Sequence, residues 1–483
     1  MKVLVLNPPT RQTGNVIRDV LYGCWCNGKR IGGGTVPPFG LLSLATTLKQ
    51  AGFDTTFLDA MGQGFSVEYV RKMVGEYDAV VCSTSTMTVN EDCVTLQELQ
   101  NSNPRLKTVI FGSHATFMPE HTLAKGGIDF IVRNEPEFAV RDLLKAVDRN
   151  DGSEFKALGV GFKNEQGESV INADYPYIEN IDELPIPDVT MLPKNVDWFN
   201  PIVKQTPYVT AFASRGCPAK CTFCTAPYFY GANIRYKSVD RMIKEVKYYL
   251  DNGFKEVYFR DETFTANKRF VMEFCQRVLD EGLKFTWIAN ARVVSVDEVM
   301  LILMKKAGCH LIKYGVESGV QELLDNVRKG IRLEDTRKAF ALMHQVGIDS
   351  HAHMMLGIPG ETEETIEQTI RFVNEIEPTT VTFGICTPYP GTPLYEEVAQ
   401  VHPEIRDGSD SDLGALHKKG LFNSIYTELE SDDLESAMKR AYQAFYARPS
   451  YIAKTIGRVK SLDDIKRFAK AGTKVLDFAM RGE

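Results

Sequence analysis

The chain has 483 residues, 43% of them hydrophobic, with a formal net charge of −7 and a pI near 5.8. A chain of this length buries large cores and divides into two or three domains. Acidic and basic residues are interspersed, so the charge pattern gives no basic surface for nucleic acid. The first apolar run ends at Asn7, too early for a signal-peptide core, and no run reaches transmembrane length. We therefore expect a cytoplasmic protein whose ten cysteines are reduced thiols or metal ligands.

Residues 1–148 alternate short apolar runs with amphipathic stretches. Residues 2–6 have the pattern of a buried strand, and residues 37–53 that of a helix that opens with proline and ends at Gly52. Further strand-like runs occupy residues 54–60, 78–86, 107–116 and 128–136. This alternation predicts an α/β domain built on a doubly wound, Rossmann-like parallel sheet.

A second series of strands and helices begins at residue 206, after a Gly-, Asn-, Asp- and Pro-rich connector (149–205) with room for a hairpin. Strand-like runs occupy residues 208–214, 256–262, 284–291, 310–318, 349–359 and 380–389. Six strand–helix repeats over residues 206–400 predict a partial (β/α)6 TIM-type barrel rather than a full eightfold one. Residues 401–483 are predicted to form a charged helical region whose aromatic residues serve packing.

Three cysteines lie within eight residues directly after the first barrel strand: Cys217, Cys221 and Cys224. Inert buried cysteines are one alternative. A structural zinc site is disfavoured, because it needs a fourth ligand and the nearest histidines in sequence are about 90 residues away. Thiolates also hold iron–sulfur clusters, and three cysteines on a four-iron cubane leave one iron with an open position. Barrel folds place reactive groups on loops that follow strands, as these cysteines do.

The spacing Cys-x3-Cys-x2-Cys, with Phe223 before the last cysteine, resembles the signature of the radical SAM superfamily. The resemblance implies that the three cysteines bind a [4Fe-4S] cluster whose open iron holds S-adenosylmethionine (SAM). One electron, from a donor such as flavodoxin or ferredoxin, would then cleave SAM to a 5′-deoxyadenosyl radical.

Three later segments strengthen this resemblance: "YFRDETF" (258–264), "IKYGVESG" (312–319) and "LGIPGET" (356–362). They are similar to SAM-contacting strand ends and turns of the superfamily. The SAM contacts implied are Phe223, Asp261, Glu262, Glu317, Ser318 and Gly357. For the two adjacent acids, a helix N-cap followed by a solvated carboxylate is the structural alternative.

The first domain resembles the cobalamin-binding domain that precedes the barrel in one group of radical SAM enzymes. The similarity lies in "NPP" (7–9), "CSTST" (82–86), "FGSHAT" (111–116) and "RNEPE" (133–137). These polar segments end predicted strands, so they would gather at the carboxyl edge of the sheet, where doubly wound folds bind ligands. The resemblance implies a corrinoid pocket lined by Ser83, Thr84, Ser85, Gly112, His114 and Glu135.

The sequence names no lower axial ligand for cobalamin. The motif Asp-x-His-x-x-Gly is absent, and its nearest counterpart, which starts at Asp349, has Met354 in place of glycine. His351 and His353 are predicted to share one face of a barrel strand as a packed pair rather than a metal site. The Gly-rich loop 22–30, with two further cysteines, is interpreted as a cover over the corrinoid or the substrate.

Together these resemblances imply a cobalamin-dependent radical SAM methyltransferase that methylates an unactivated carbon of a small-molecule, lipid or tetrapyrrole substrate. Two alternatives stay open: a radical cyclase or oxidoreductase without methyl transfer, and a non-catalytic corrinoid or iron–sulfur carrier. The sequence assigns no catalytic acid or base, and it names neither a nucleic-acid partner nor the substrate.

Overall fold

The computed structural model describes residues 1–10, 18, 34–406, 422–459 and 462–481, with the backbone alone for residues 462–464 and 476–481. Within these residues the chain forms two large sheets, one in each half, flanked by helices. The predicted covering loop 22–30 lies outside the described residues. None of the described helices combines the length and the hydrophobicity needed to cross a membrane.

The N-terminal sheet has seven strands: β1 (Lys2–Asn7), β2 (Asp54–Asp59), β3 (Ala79–Thr84), β4 (Lys107–Gly112), β5 (Phe130–Val132), β6 (Val160–Lys163) and β7 (Ser169–Ile171). Their order is β2-β1-β3-β4-β5-β6-β7, with β1 to β5 parallel and β6 and β7 antiparallel. The doubly wound prediction is confirmed, and the strand order reverses between β1 and β3, where such folds bind ligands. The sheet extends beyond residue 148, because the hairpin β6–β7 pairs with the edge of β5.

The helices of this half are α1 (Phe39–Gln50), α2 (Ala60–Gln63), α3 (Val67–Met73), α4 (Val89–Ser102), α5 (Ser113–Phe117), α6 (Pro119–Ala124) and α7 (Pro136–Arg149). Apolar cores lie on both faces of the sheet, one under α1 and α7 and the other under α3 and α4. The strand predicted over residues 107–116 stops at Gly112, because the chain turns there into α5.

The second half contains β8 (Tyr208–Ala211), β9 (Ser214–Arg215), β10 (Arg235–Tyr236), β11 (Glu256–Phe259), β12 (Thr286–Ala291), β13 (Cys309–Glu317), β14 (Asp349–Leu356) and β15 (Thr380–Ile385). Six of them form one parallel sheet in the order β15-β14-β13-β12-β11-β8, which confirms the partial barrel. The short strands β9 and β10 form an antiparallel pair beyond the end of β8.

The helices of the second half are α8 (Ala226–Phe229), α9 (Val239–Asp251), α10 (Lys268–Asp280), α11 (Glu298–Lys306), α12 (Gln321–Asn326), α13 (Leu333–Val346), α14 (Glu363–Ile376), α15 (Pro393–Val401), α16 (Ser431–Tyr446), α17 (Pro449–Gly457) and α18 (Leu462–Arg481). α9 shows why they form: Ser238 caps its N-terminus, and Met242, Val246 and Tyr249 bury one face against the strands.

The two edges of the barrel sheet are both covered. At β15, the hydroxyl groups of Tyr442 and Tyr446 in α16 bond to backbone groups of Phe383 and Val381. The aromatic residues of the C-terminal region therefore pack against the sheet and satisfy an otherwise open strand edge. At β8, Thr210 donates to the carbonyl of Pro37, just before α1, which joins the two halves of the molecule.

Candidate functional site

The cysteine loop leaves β9 and is held by backbone bonds to three distant segments. The Cys217 amide donates to the Gly231 carbonyl at 3.1 Å, and the Thr222 amide donates to Val327 at 3.1 Å. Leu394 donates in turn to the Thr222 carbonyl at 3.0 Å. Gly216 has φ +98°, and a Cβ there would lie 2.1 Å from the Asn233 carbonyl oxygen, so only glycine fits. The loop is therefore held in place by backbone contacts to the surrounding segments.

The three cysteines in this loop are free thiols, with Cys217 and Cys221 buried and Cys224 half-buried. Burial raises the pKa of Cys217 to about 11 and also raises that of Cys221, beside which the Lys329 ammonium acts in the opposite direction. Burial thus favours the protonated thiol at Cys217 and Cys221, and coordination of a metal by these two residues would release protons.

Within the described ranges, no three His, Cys, Asp or Glu side chains are placed to share a single metal ion. An iron–sulfur cubane does not require three side chains around one ion, because each cysteine binds a different iron of the cluster.

Asp261 lies directly beyond β11 and is fully buried. Its carboxylate accepts the Ala213 amide at 3.0 Å and the Ser214 hydroxyl at 2.6 Å, so it holds the strand that leads into the cysteine loop. Both carboxylate oxygens accept hydrogen bonds from the protein, and the SAM contact at Asp261 stays a prediction. The N-cap alternative is wrong, since the next helix, α10, is capped by Asn267.

Three other carboxyl groups around the loop each keep one buried oxygen without a hydrogen-bond partner among the described residues: Glu262, Glu317 and Glu361. Burial raises the pKa of Glu262 to about 8 and that of Glu361 to about 8. Buried polar atoms are nearly always paired in native proteins, so orphan oxygens indicate a place for a ligand. Glu361, inside the segment "LGIPGET", was not among the predicted contacts.

Glu317 ends β13 with φ +68°, an unusual conformation for a residue other than glycine. Its Oε1 accepts the buried ammonium of Lys329 at 2.6 Å, and Oε2 is the orphan. Burial alone would lower the pKa of Lys329, but the Glu317 carboxylate outweighs it and raises that pKa. The same ammonium lies 5.8 Å from the Phe223 ring centroid. Sequence reasoning missed Lys329, because nothing distinguishes it from the other basic residues of "NVRKGIR".

The remaining predicted SAM contacts have clear neighbours. Phe223 is buried in an apolar cluster with Cys221, Met355 and Cys386. The Ser318 hydroxyl accepts the Val320 amide at 3.1 Å and lies 3.2 Å from the Thr369 hydroxyl. The Gly357 amide donates to Glu361, and its carbonyl accepts from Asn423 at 2.7 Å. Ser318 and Gly357 thus shape the backbone around the orphan carboxyl groups.

In the N-terminal half, most predicted corrinoid contacts bind other protein groups. Thr84 donates to Asp92 at 2.8 Å, and the Ser85 hydroxyl lies 3.1 Å from that of Thr88. Ser83 is the exception, since its buried hydroxyl has no partner in the described part of the chain. Gly112 has φ +127°, and a Cβ on it would lie 2.1 Å from the Thr84 carbonyl oxygen. The carboxyl ends of β3 and β4 therefore pack closely and present Ser83 as an unused polar group.

His114 is fully buried in α5, between the Thr86 hydroxyl at 3.2 Å and the ring of His121 at 2.9 Å. Burial holds its pKa well below the ordinary value. Both ring nitrogens face protein groups, so the structure gives no support to His114 as an axial ligand.

Glu135, a predicted corrinoid contact, has protein partners at both carboxylate oxygens. Its two oxygens accept hydrogen bonds from Arg215 and Arg235 of the second half and from the Ile178 amide. Neighbouring Glu137 binds Arg215 at 2.5 Å. Burial alone would lower the pKa of Arg215, but the Glu137 and Glu135 carboxylates outweigh it and raise that pKa. Glu135 therefore joins the two halves of the molecule.

Inside the barrel, His351 and His353 share a face, as their alternation on β14 predicted. The two nitrogens of His351 lie 2.7 Å from the Thr380 hydroxyl and 3.1 Å from the Thr382 hydroxyl. His353 contacts the same Thr382 hydroxyl at 2.8 Å. Burial lowers the pKa of His351, so this ring is neutral at pH 7, and the two histidines pack together between threonine hydroxyl groups.

These residues fit the groups implied by the sequence. The cysteine loop offers soft thiolates in an apolar shell beside a buried lysine, which suits an anionic iron–sulfur cluster. Orphan carboxyl oxygens next to it suit a cationic ligand. In the N-terminal half, the unused Ser83 hydroxyl at the carboxyl edge of a doubly wound sheet suits a polar cofactor. The fold and the site together define a class of enzyme in which a partial barrel binds a metal cluster and a doubly wound domain binds a further cofactor.

Comparisons with known proteins agree with this class. The family model described as the Radical SAM superfamily matches residues 212–373, and that of the B12 binding domain matches residues 32–144. The chain belongs to the radical SAM superfamily, in the group that carries a B12-binding domain. The family predicted from the sequence is confirmed, as are its cofactors: a [4Fe-4S] cluster, SAM and cobalamin. The protein is a radical SAM enzyme with a B12-binding domain.

Several curated relatives span both halves of the chain. An uncharacterized methyltransferase, PH0819, of Pyrococcus horikoshii is 31% identical over 94% of this chain and 95% of its own length. The anaerobic magnesium-protoporphyrin IX monomethyl ester cyclase of Rubrivivax gelatinosus is 31% identical over 76% of this chain and 67% of its own. Among solved structures, the methyltransferase TsrM of Kitasatospora setae, with cobalamin and a [4Fe-4S] cluster bound, has a TM-score of 0.70 at 16% identity, and all of both chains is covered. At that identity the likeness shows the fold alone.

Proposed function

We propose that this enzyme methylates an unactivated carbon atom of a small-molecule, lipid or tetrapyrrole substrate. The observation that carries the proposal is the presence in one chain of the three-cysteine loop and a B12-binding domain, joined by the ion pairs of Arg215. The similarity to the Pyrococcus horikoshii methyltransferase supports methyl transfer as the outcome. When bound, the cluster and SAM supply a 5′-deoxyadenosyl radical, and cobalamin supplies a methyl group.

The residues of this chain would hold, orient and shield these groups. Cys217, Cys221 and Cys224 would bind the cluster, inside an apolar shell that excludes water from a radical. The SAM ammonium would donate hydrogen bonds to the orphan oxygens of Glu262 and Glu317, which have no donor among the described residues. The reducing electron would come from a flavodoxin or ferredoxin of the cytoplasm.

The test is anaerobic reconstitution with iron, sulfide and cobalamin, followed by incubation with SAM, a reductant and candidate substrates. The expected result is 5′-deoxyadenosine together with a product heavier than the substrate by one CH2 group. If deoxyadenosine forms while no substrate ever gains a carbon, the methyl transfer proposed here is wrong.

A second candidate is radical cyclisation without methyl transfer, which the similarity to the Rubrivivax gelatinosus cyclase supports. Product mass separates the two, because ring closure by oxidation removes hydrogen and adds no carbon. A porphyrin monomethyl ester that is cyclised rather than methylated would favour this second function.

A further inference from the structure

Four buried charged residues join the B12-type half to the cysteine loop. Arg215, two positions before Cys217, donates to Glu137 at 2.5 and 3.1 Å and to Glu135 at 3.2 Å. Arg235, its partner across the β9–β10 pair, donates to both oxygens of Glu135 at 2.9 Å. The side chains of all four are at most 7% exposed. We call this set the interdomain clamp: Glu135, Glu137, Arg215 and Arg235.

The clamp is directional. A guanidinium group is rigid and planar, so a bidentate hydrogen bond to a carboxylate fixes both the distance and the relative orientation of the two groups. The Arg215 guanidinium also lies over the Phe212 ring, 4.5 Å from its centroid, which leaves it little room to turn. Buried ion pairs are a weak source of net stability, since desolvation offsets their attraction, and their better-attested use is to specify one geometry.

Each end of the clamp is attached to a functional edge. Glu135 and Glu137 flank Pro136, the first residue of α7, just beyond the carboxyl end of β5. Arg215 leads through Gly216 into Cys217, and Asp261 fixes the residues immediately before it. The edge of the B12-type sheet is thus linked to the cysteine loop through side chains alone, without an intervening flexible segment.

We propose that Arg215 is a positioning residue that sets the separation of the corrinoid from the iron–sulfur cluster. Its bonds to Glu137 and Glu135 hold the two cofactor-binding halves in one relative placement. This role of Arg215 requires that the protein bind both cobalamin and the iron–sulfur cluster. It does not depend on the identity of the substrate or on methyl transfer.

The experiment measures that separation directly in the reconstituted holoenzyme. With cobalamin reduced to its cob(II) form and the cluster to its one-electron-reduced form, both centres are paramagnetic, and pulsed dipolar EPR gives their distance distribution. We expect a narrow distribution for the native protein and one at least about twofold broader for Arg215→Met, because a site whose supporting residues are removed becomes loose.

A matched control is Lys237→Met. Lys237 forms a buried ion pair with Glu245 at 2.8 Å, with side chains 2% and 1% exposed, but both residues belong to the barrel half. Glu245 keeps its second partner, Arg241, at 2.9 Å, so this variant should lose less stability than Arg215→Met, and it should keep the narrow distribution. Equal broadening in both variants would mean that Arg215 matters only for folding, and an unchanged distribution in Arg215→Met would also overturn the proposal.

A double variant separates the loss of the directional bond from a loss of stability. In Arg215→Met/Glu137→Met no charge of that pair is left unpaired, and such apolar replacements are often neutral for stability. The thermal midpoint should recover relative to Arg215→Met, whereas the broad distance distribution should persist, because apolar contact does not restore the directional bond. Recovery of the narrow distribution would show that packing, and not the Arg215 guanidinium, sets the separation.

Discussion

The two ends of β11 carry buried carboxyl groups in opposite situations. At the amino end, Glu256 accepts the backbone amides of Lys204 and Gln205 and the Thr286 hydroxyl, and it contacts the His310 ring at 2.9 Å. Beyond the carboxyl end, Glu262 keeps a buried oxygen with no partner in the described residues. The same strand therefore places one fully satisfied acid and one unsatisfied acid at opposite ends of the barrel.

This difference distinguishes a carboxyl group with a structural role from one that can bind a ligand. The Glu256 carboxylate, at the amino end of the barrel, already has its hydrogen-bond partners and needs no ligand. A buried carboxyl oxygen without a hydrogen-bond partner destabilises the folded protein, and such groups are retained mainly at functional sites. The acids at the carboxyl end, with the cysteine loop beside them, have the character of a ligand site, whereas Glu256 has that of a structural residue. Each prediction below tests one side of this contrast.

The largest effect is expected at the cysteine loop. Replacement of Cys217, Cys221 and Cys224 by alanine should abolish the iron–sulfur chromophore after reconstitution, because no other cysteines in the described residues are placed near this loop except Cys386, which faces the apolar cluster. Iron analysis and visible absorption measure the loss. Cys275→Ala, a buried cysteine of the barrel core, is the matched control and should keep the full iron content. Retention of the cluster in the triple variant would place it elsewhere.

Glu262→Gln should affect SAM far more than folding. The amide keeps the size of the side chain but cannot attract an ammonium, and a hydrogen bond to a charged group contributes about 1.5–3 kcal/mol, so SAM cleavage should fall about 10- to 100-fold. Because the pKa of Glu262 is raised to about 8 by burial, a neutral side chain should leave the thermal midpoint unchanged or higher. Deoxyadenosine formation with a chemical reductant measures the first effect. Unchanged cleavage would remove Glu262 from the SAM site.

The fold and the cysteine loop were predictable from the sequence because both depend on local patterns. Buried parallel strands are continuous apolar runs, and β1, β11 and β13 were found close to their observed bounds. The three-cysteine spacing lies within one loop. Strand ends were less accurate where a glycine turned the chain into a helix, as Gly112 does.

The partners of individual side chains were not predictable, because they depend on contacts between distant segments. Asp261 and Glu262 are adjacent in sequence and look alike, yet the first binds the backbone of Ala213 and the second has an orphan oxygen. The ion pairs of Glu135 were not predicted for the same reason: its partner Arg235 is 100 positions away in sequence. Only the relative placement of the two halves shows that these charges meet.

Glu256→Ala should give a purely structural loss at the amino end of the barrel. The backbone amides of Lys204 and Gln205 and the Thr286 hydroxyl would lose their acceptor in partly buried positions, at a cost of about 1 kcal/mol each. The thermal midpoint should fall by about 5–10 °C. Cluster content per folded protein and the rate of SAM cleavage should stay at the native level, and a specific loss of either would break the contrast between the two ends.

The smallest effect is expected for Glu361→Gln, and it should depend on pH. In the folded protein, burial raises the pKa of Glu361 from 4.5 to about 8, while the unfolded chain has the ordinary value, so the folded state holds the proton more tightly. The stability from this proton is fully present below pH 4.5 and is lost as the pH rises through about 8. Glutamine does not ionise, so the variant should gain relative to the native protein as the pH rises from 5 to 6.5, by about 2 kcal/mol.

Thermal midpoints of the metal-free protein across that range measure the difference. Glu364→Gln is the control, an exposed carboxyl group in the first turn of α14, and it should show no trend. A difference that stayed constant or shrank with rising pH would mean that Glu361 is ionised and fully accommodated by the Gly357 and Ile358 amides. In that case the acids at the carboxyl end of the barrel would resemble Glu256 more than the orphan oxygens indicate, and the ligand site would narrow to Glu262 and Glu317.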